Sequence, residues 1–218
     1  MSDQYDEHEQ SERVKQWLLK NGSNLLTGIL LIIAAISGWH WWQGLQAQQS
    51  QEAGTQYHTF VQAIEKPDTA KAIVLGEAII TNYADSDFAF LAALRLSRVQ
   101  AELGKYDLAA AAMDKAAMVA LNDQNRELVK IRKAQLLLSQ GKTAEATIAA
   151  DAIKAVAYPA SLAELKGDLA MASGKSDAAA DFYRQALQQL SADAGSRGLI
   201  EIKLTDAGGN ADKPKEIR

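Results

Sequence analysis

Residues 101–120 read AELGKYDLAAAAMDKAAMVA, and the fold of this chain turns on them. A helix arriving at Leu103 meets Gly104 and Lys105, and an alanine-rich second helix follows. The same order of events recurs in QGKTAEATIAADAI at 140–153 and in SGKSDAAADFYRQAL at 173–187. The turns are therefore Leu103-Gly104-Lys105-Tyr106, Gln140-Gly141-Lys142-Thr143 and Ser173-Gly174-Lys175-Ser176. Glycine suits this place because a helix commonly ends on a left-handed residue, a conformation that side chains with a Cβ resist. Gly104 and Gly141 are 37 residues apart, and Gly141 and Gly174 are 33 apart.

These spacings bracket about 34 residues, the period of tetratricopeptide arrays. The positions around each glycine agree with it. Five residues after the glycines stand Ala109, Ala146 and Ala179; nine after, Met113, Ala150 and Tyr183; twelve after, Ala116, Ile153 and Ala186. Seven before stand Ser97, Ala134 and Gly167. Small residues at such places let the two helices of a repeat approach closely, and larger ones fill the gap to the next repeat. Lys133 and Lys166 depart from the pattern, because leucine is usual there. The competing reading is a generic antiparallel helical bundle.

Working outward, the hairpin at 52–83 is expected to be a degenerate fourth unit at the N-terminal end. Tyr57, Phe60, Val61 and Ile64 share one helical face. Lys66-Pro67-Asp68 ends that helix, and Thr69–Tyr83 is its antiparallel partner. Ala194–Leu204 caps the array, and Asp206–Arg218 is a polar tail. No run alternates in the manner of a half-buried strand.

Leu25–Trp42, LLTGILLIIAAISGWHWW, has no charged residue and is long enough to cross a bilayer as a helix. Trp39, Trp41 and Trp42 crowd one end and Trp17 precedes the other, as interfacial anchors do. A buried core helix and a cleaved signal peptide are the alternatives. The run exceeds a signal-peptide core and no clean small-x-small site follows, so it reads as an uncleaved signal anchor. Arg13, Lys15 and Lys20 precede the segment, and the next basic residue is Lys66. The positive-inside rule puts the N-terminus in the cytoplasm and everything after Trp42 on the translocated side. Thr27, Leu31, Ala34 and Gly38 share one helix face, with Ala34 and Gly38 a small-xxx-small pair that admits a neighbouring membrane helix.

The expected organisation is thus all-α: a single N-terminal transmembrane helix followed by a TPR-like α-solenoid. Residues 1–22 are a cytoplasmic tail, 23–43 the transmembrane signal anchor, 44–205 the translocated repeat domain, which the family resemblance given below makes periplasmic, and 206–218 a disordered tail. Within the first part, Ser11–Lys20 is a short amphipathic helix broken by Asn21-Gly22-Ser23. Residues 1–12 are too polar to fold alone.

Composition removes several function classes. The part beyond the anchor carries 20 basic and 22 acidic residues, a formal charge of −2, which is no footprint for nucleic acid. The chain has no cysteine, so disulfides and thiolate chemistry are excluded. His8, His40 and His58 lie apart from one another and from metal-ligand spacings. No strand precedes a glycine-rich phosphate loop, and no nucleophile stands with a base. No catalytic residue, cofactor or metal is expected. Carboxylate pairs such as Asp177 with Asp181 read as solvated helix faces.

What remains is binding. In a helical array the first helix of each repeat lines the concave surface. The spacing assigns Leu91, Leu94 and Arg98, then Leu128, Ile131 and Gln135, then Glu164, Asp168 and Met171 to that lining. The expected function is a tethered interaction protein; the alternative is a structural scaffold for another inner-membrane envelope complex.

The acidic N-tail, the run Glu12-Arg13-Val14-Lys15 with Asn21-Gly22, the anchor ending Gly38-Trp39-His40-Trp41, the glutamine-rich helix and the repeats together resemble the YfgM family. Residues 12–46 are the most specific portion. His40 stands where that family leads one to expect a basic residue. The resemblance implies an ancillary subunit of the Sec translocon (SecYEG). Its periplasmic domain works beside the membrane-anchored chaperone PpiD, near exported polypeptides.

Overall fold

The computed structural model of the chain describes residues 3–66, 68–154 and 157–210. It divides into two compact units, Met1–Gln51 and Glu52–Arg218. Among the described residues the elements are helices and no strand occurs. They are α1 (Asp3–Glu65), α2 (Thr69–Asn82), α3 (Asp87–Glu102), α4 (Tyr106–Met118), α5 (Asp123–Ser139), α6 (Thr143–Asp151), α7 (Pro159–Ala172), α8 (Ser176–Gln188) and α9 (Arg197–Asp206). The all-α expectation holds.

In the first unit α1 runs through Asn21-Gly22-Ser23 without the expected break. A glycine inside a helix costs only about 1 kcal/mol relative to alanine. The polar side chains here also bond to their own helix: Asn21 Nδ2 donates to the Trp17 carbonyl at 3.1 Å, and Thr27 Oγ1 to the Ser23 carbonyl at 2.8 Å. The helix also extends back through the acid-rich stretch to Asp3. Extending a nucleated helix adds one hydrogen bond per residue without a new nucleus, so a polar sequence follows where it would not start. One window of this helix is long and apolar enough to cross a membrane, and none of it is covered by protein. Trp17, Trp39, Trp41 and Trp42 are all exposed, with the Trp39 and Trp42 rings 5.4 Å apart.

The second unit is a stack of helix pairs. Helices α3 and α4, α5 and α6, and α7 and α8 pack as hairpins, and α4 on α5, α6 on α7 and α8 on α9 join successive pairs. The three turns have one geometry. Gly104, Gly141 and Gly174 have φ of 71°, 74° and 71°. Their N–H groups donate three residues back at 2.9 Å, to the carbonyls of Ala101, Leu138 and Met171. The following lysines donate to Gln100, Leu137 and Ala170 at 2.9, 3.0 and 2.9 Å. This pair of bonds is the Schellman motif, which satisfies the last carbonyls of a helix. Each second helix then opens with an acid in its first turn, Asp107, Glu145 and Asp177, against the positive end of the helix dipole.

The twelve small or apolar positions counted from the glycines are all buried. Ala109, Ala146 and Ala179 are wholly enclosed, and Ser97 donates its hydroxyl to the Ala109 carbonyl at 2.8 Å. Gly167 is closely approached: a Cβ there would lie 2.4 Å from the Tyr183 ring. The irregular lysines also find a use. Lys133 pairs with Asp114 on α4, and Lys166 with Asp151 on α6 at 3.0 Å. Each ties a first helix to the second helix of the preceding repeat, where a leucine would pack.

The end of the array differs from expectation. The helix assigned to Ala194–Leu204 starts at Arg197 and ends at Asp206. Gly208 follows at φ 79° and forms the same pair of bonds, to Thr205 and by Gly209 to Leu204, both 2.9 Å. It lies 34 residues after Gly174. Helix α9 therefore ends in the same turn as the first helices of the three repeats, at the period of the array. Ala207, assigned to the tail, is buried in the C-terminal core with Ile200 and Leu204. Residues 211–218, which carry the rest of the expected disordered tail, lie outside the described residues.

Candidate functional site

A groove of about 610 Å³ opens between the first helices of two successive repeats, α3 and α5. Its apolar floor is Leu91, Leu94, Ala101, Met113, Leu128 and Leu136. Arg95, Arg98, Arg132, Ser97, Gln135, Ser139 and Tyr57 complete the lining. Five of the residues assigned from spacing, Leu91, Leu94, Arg98, Leu128 and Gln135, meet here. The reason is the repeat itself: equal counts back from Gly104 and Gly141 give equal directions from the two helices.

Ile131 does not join them. It is fully enclosed in the core with Ala134, Ala146 and Leu165, and presents no surface to a partner. Glu164, Asp168 and Met171 are elsewhere and engaged. Lys203 on α9 donates to Glu164 Oε1 at 2.7 Å and to Asp168 Oδ2 at 2.8 Å, and the Tyr183 hydroxyl donates to Asp168 Oδ1 at 2.8 Å. Met171 packs against the C-terminal core. Helix α9 thus takes up the third repeat's carboxylates.

This cluster perturbs its own members. Burial, reinforced by the bond to Asp168 and the charges of Asp168 and Glu164, pushes the Tyr183 hydroxyl well above the usual tyrosine range. For Lys203, burial alone would lower the pKa. The bonds to Asp168 and Glu164 outweigh it, and the ammonium is held above its ordinary value. The arrangement is a structural lock rather than an open site.

Sequence reasoning missed Arg95, Arg132 and Tyr57. Arg95 Nε donates to the Tyr57 hydroxyl at 2.7 Å, and its guanidinium lies 5.8 Å from the centre of that ring. Arg132 donates to Gln135 Oε1 at 2.7 Å. A signal was present, since Arg95 and Arg132 each stand nine residues before a turn glycine. In the first unit Thr27, Leu31, Ala34 and Gly38 are all exposed along α1, and nothing comes within 4 Å of a Cβ built on Gly38. Among the described residues no group of three or more His, Asp or Glu is placed to hold a metal.

Among the described residues, a stack of helix hairpins with an open groove, together with a helix long and apolar enough to cross a membrane, defines a helical-repeat protein of the binding kind. The chain belongs to the tetratricopeptide repeat-like domain family, whose match covers residues 15–209, and this is the YfgM family that the sequence resembles. Relatives carry the same name throughout. The ancillary SecYEG translocon subunit of Haemophilus influenzae is 24% identical over 84% of this chain and 89% of its own. That of Escherichia coli is 28% identical over 78% and 81%. That of Neisseria gonorrhoeae is 28% identical over 94% and 98%. The family is one of interaction subunits, not enzymes.

Proposed function

We propose that this chain is an ancillary subunit of the Sec translocon, held in the inner membrane by α1, with its N-terminus cytoplasmic and its repeat unit in the periplasm. The groove between α3 and α5 holds a segment of a partner at the translocon exit, and that open groove is the observation that carries the reading. The relatives' names support SecYEG as the assembly. The family resemblance supports the chaperone PpiD as neighbour and exported polypeptides as nearby clients. Orientation rests on Arg13, Lys15 and Lys20 before the apolar run, against none between it and Lys66. Within the bilayer, the Ala34–Gly38 face of α1 gives a second, packing contact to a membrane helix.

Affinity capture of the full chain in mild detergent tests this. Translocon channel subunits are expected to co-purify, and Leu91→Ser with Leu128→Ser is expected to reduce a periplasmic partner while sparing the channel contact. Capture of cell-wall or lipid-transport enzymes in place of translocon subunits would replace the reading with that of a scaffold for another envelope complex.

A further inference from the structure

The groove has a sign. Its lining contains three arginines and no carboxylate, a local formal charge of +3 on a chain whose net charge is −4. Arg95 and Arg98 stand one turn apart on α3, so their guanidinium groups project from neighbouring positions about 5–6 Å apart at the Cβ atoms. Arg132 faces them from α5. Among the described residues neither Arg95 nor Arg132 has a carboxylate partner. Arg95 gives one N–H to the Tyr57 hydroxyl and Arg132 one to the Gln135 amide oxygen. Each guanidinium has five donors, so both keep a fork suited to bidentate recognition of a carboxylate. Arg98 pairs with Glu102 at 2.8 Å, but both side chains are more than half exposed. Such a surface pair is worth little and exchanges readily for a better acceptor.

Beneath the arginines lies the apolar floor of Leu91, Leu94, Leu128 and Met113. Neither half explains the other: isolated anions do not need leucines, and a purely apolar segment leaves the guanidinium groups unanswered. We infer that the occupant is an acidic, amphipathic segment of a protein partner, with carboxylates about one helical turn apart between leucine-sized side chains. The apolar residues fill the floor, and the carboxylates meet Arg95, Arg98 and Arg132 in charge-assisted pairs. The Arg95 fork is pre-set by its bond to Tyr57, which lowers the ordering cost on binding. The inference rests on the reading of this groove as the docking site and adds the chemistry of what docks.

The test uses the full chain in nanodiscs of phosphatidylcholine and a fluorescein-labelled peptide built of leucine and glutamate. Saturable binding by anisotropy is expected, weakening as salt rises. Replacing every glutamate of the peptide by glutamine, or combining Arg95→Gln with Arg132→Gln, is expected to weaken it at least about tenfold. Glu102→Gln, which releases Arg98, is expected to tighten it about two- to fivefold. Circular dichroism confirms that each variant is folded; Arg132→Gln alone, which leaves the Tyr57 contact intact, repeats the test. Equal binding of the glutamine peptide, or insensitivity to the arginine substitutions, overturns the inference. If Leu91→Ser then still reduces partner capture, the groove remains a docking site for an uncharged segment. If neither the leucine nor the arginine substitutions affect capture, both the inference and the groove reading fall. Binding of phosphatidylglycerol vesicles through the same arginines, without binding of the peptide, would assign the groove to lipid and equally overturn it.

Discussion

Replacing Gly167 by alanine sets two effects of known size against each other. On sequence grounds the change is favourable, because alanine in a helix interior is worth about 1 kcal/mol more than glycine. The structure reverses the sign. A Cβ on Gly167 meets three ring carbons of Tyr183 at 2.4, 2.6 and 2.9 Å. That ring has nowhere to go: it is buried, and its hydroxyl is tied to Asp168, which Lys203 also holds. Overpacking of this kind costs about 1–3 kcal/mol, and a contact this short on a tethered ring belongs at the upper end. The net loss is therefore about 2 kcal/mol after subtracting the helix gain. For a unit of this size that lowers Tm by roughly 4–8 °C. Thermal unfolding of the full chain in mild detergent, followed by far-ultraviolet circular dichroism, measures it. Tyr183→Leu removes the ring and costs stability itself, but in that background Gly167→Ala is expected to be neutral or stabilising. A Gly167→Ala protein as stable as the parent, or a double variant whose losses simply add, would refute the packing argument.

The turns, the Lys203 cluster, the membrane helix and the topology each give a further test. Gly104→Ala, Gly141→Ala and Gly174→Ala each lose about 1–2 kcal/mol by urea unfolding, and asparagine at the same positions loses less, since no neighbour lies within 4 Å and the cost is backbone strain alone. Tyr183 and Lys203 both have folded pKa values above their ordinary ones, so the fold favours their protonated forms. Their contribution is complete below about pH 10 and is lost as pH rises beyond it, where the unfolded chain releases protons that the folded one retains. The unfolding midpoint is expected to drop more steeply above that pH in the parent than in Tyr183→Phe, and equal slopes would discount the cluster. In the membrane helix, Gly38→Leu or Ala34→Leu is expected to weaken co-purification of membrane partners while Ile32→Leu does not; unchanged capture by both small-residue variants would reduce α1 to a tether. A phosphatase reporter fused after Asn210 should be active and a cytoplasm-only fluorescent reporter dark, and the reverse would invert the topology drawn from Arg13, Lys15 and Lys20.

The sequence by itself determined what is encoded within a turn or two of chain. A glycine that must adopt positive φ, an alanine five residues on and a small residue seven before are local demands of one hairpin, and all three repeats meet them. Helical period and equal spacing from the glycines were also enough to bring Leu91, Leu94, Arg98, Leu128 and Gln135 into one groove. The tertiary structure decided which of the equivalent faces stays open. Ile131 occupies the same register as Leu94 and yet is sealed inside, because Leu165 of the following repeat packs with it in one core. Glu164 and Asp168 look like groove residues until Lys203, 35 and more residues away, closes on them. Lys133 and Lys166 look like errors in the pattern until Asp114 and Asp151 are placed opposite. Gly208 stands in the sequence at the right period, and only the structure shows that its turn ends a helix whose Ile200 and Leu204 are buried in the C-terminal core. Register within a helix follows from bond geometry and a fixed number of residues per turn. Exposure of a face depends on the neighbour that packs over it, and one repeat's sequence does not contain that neighbour.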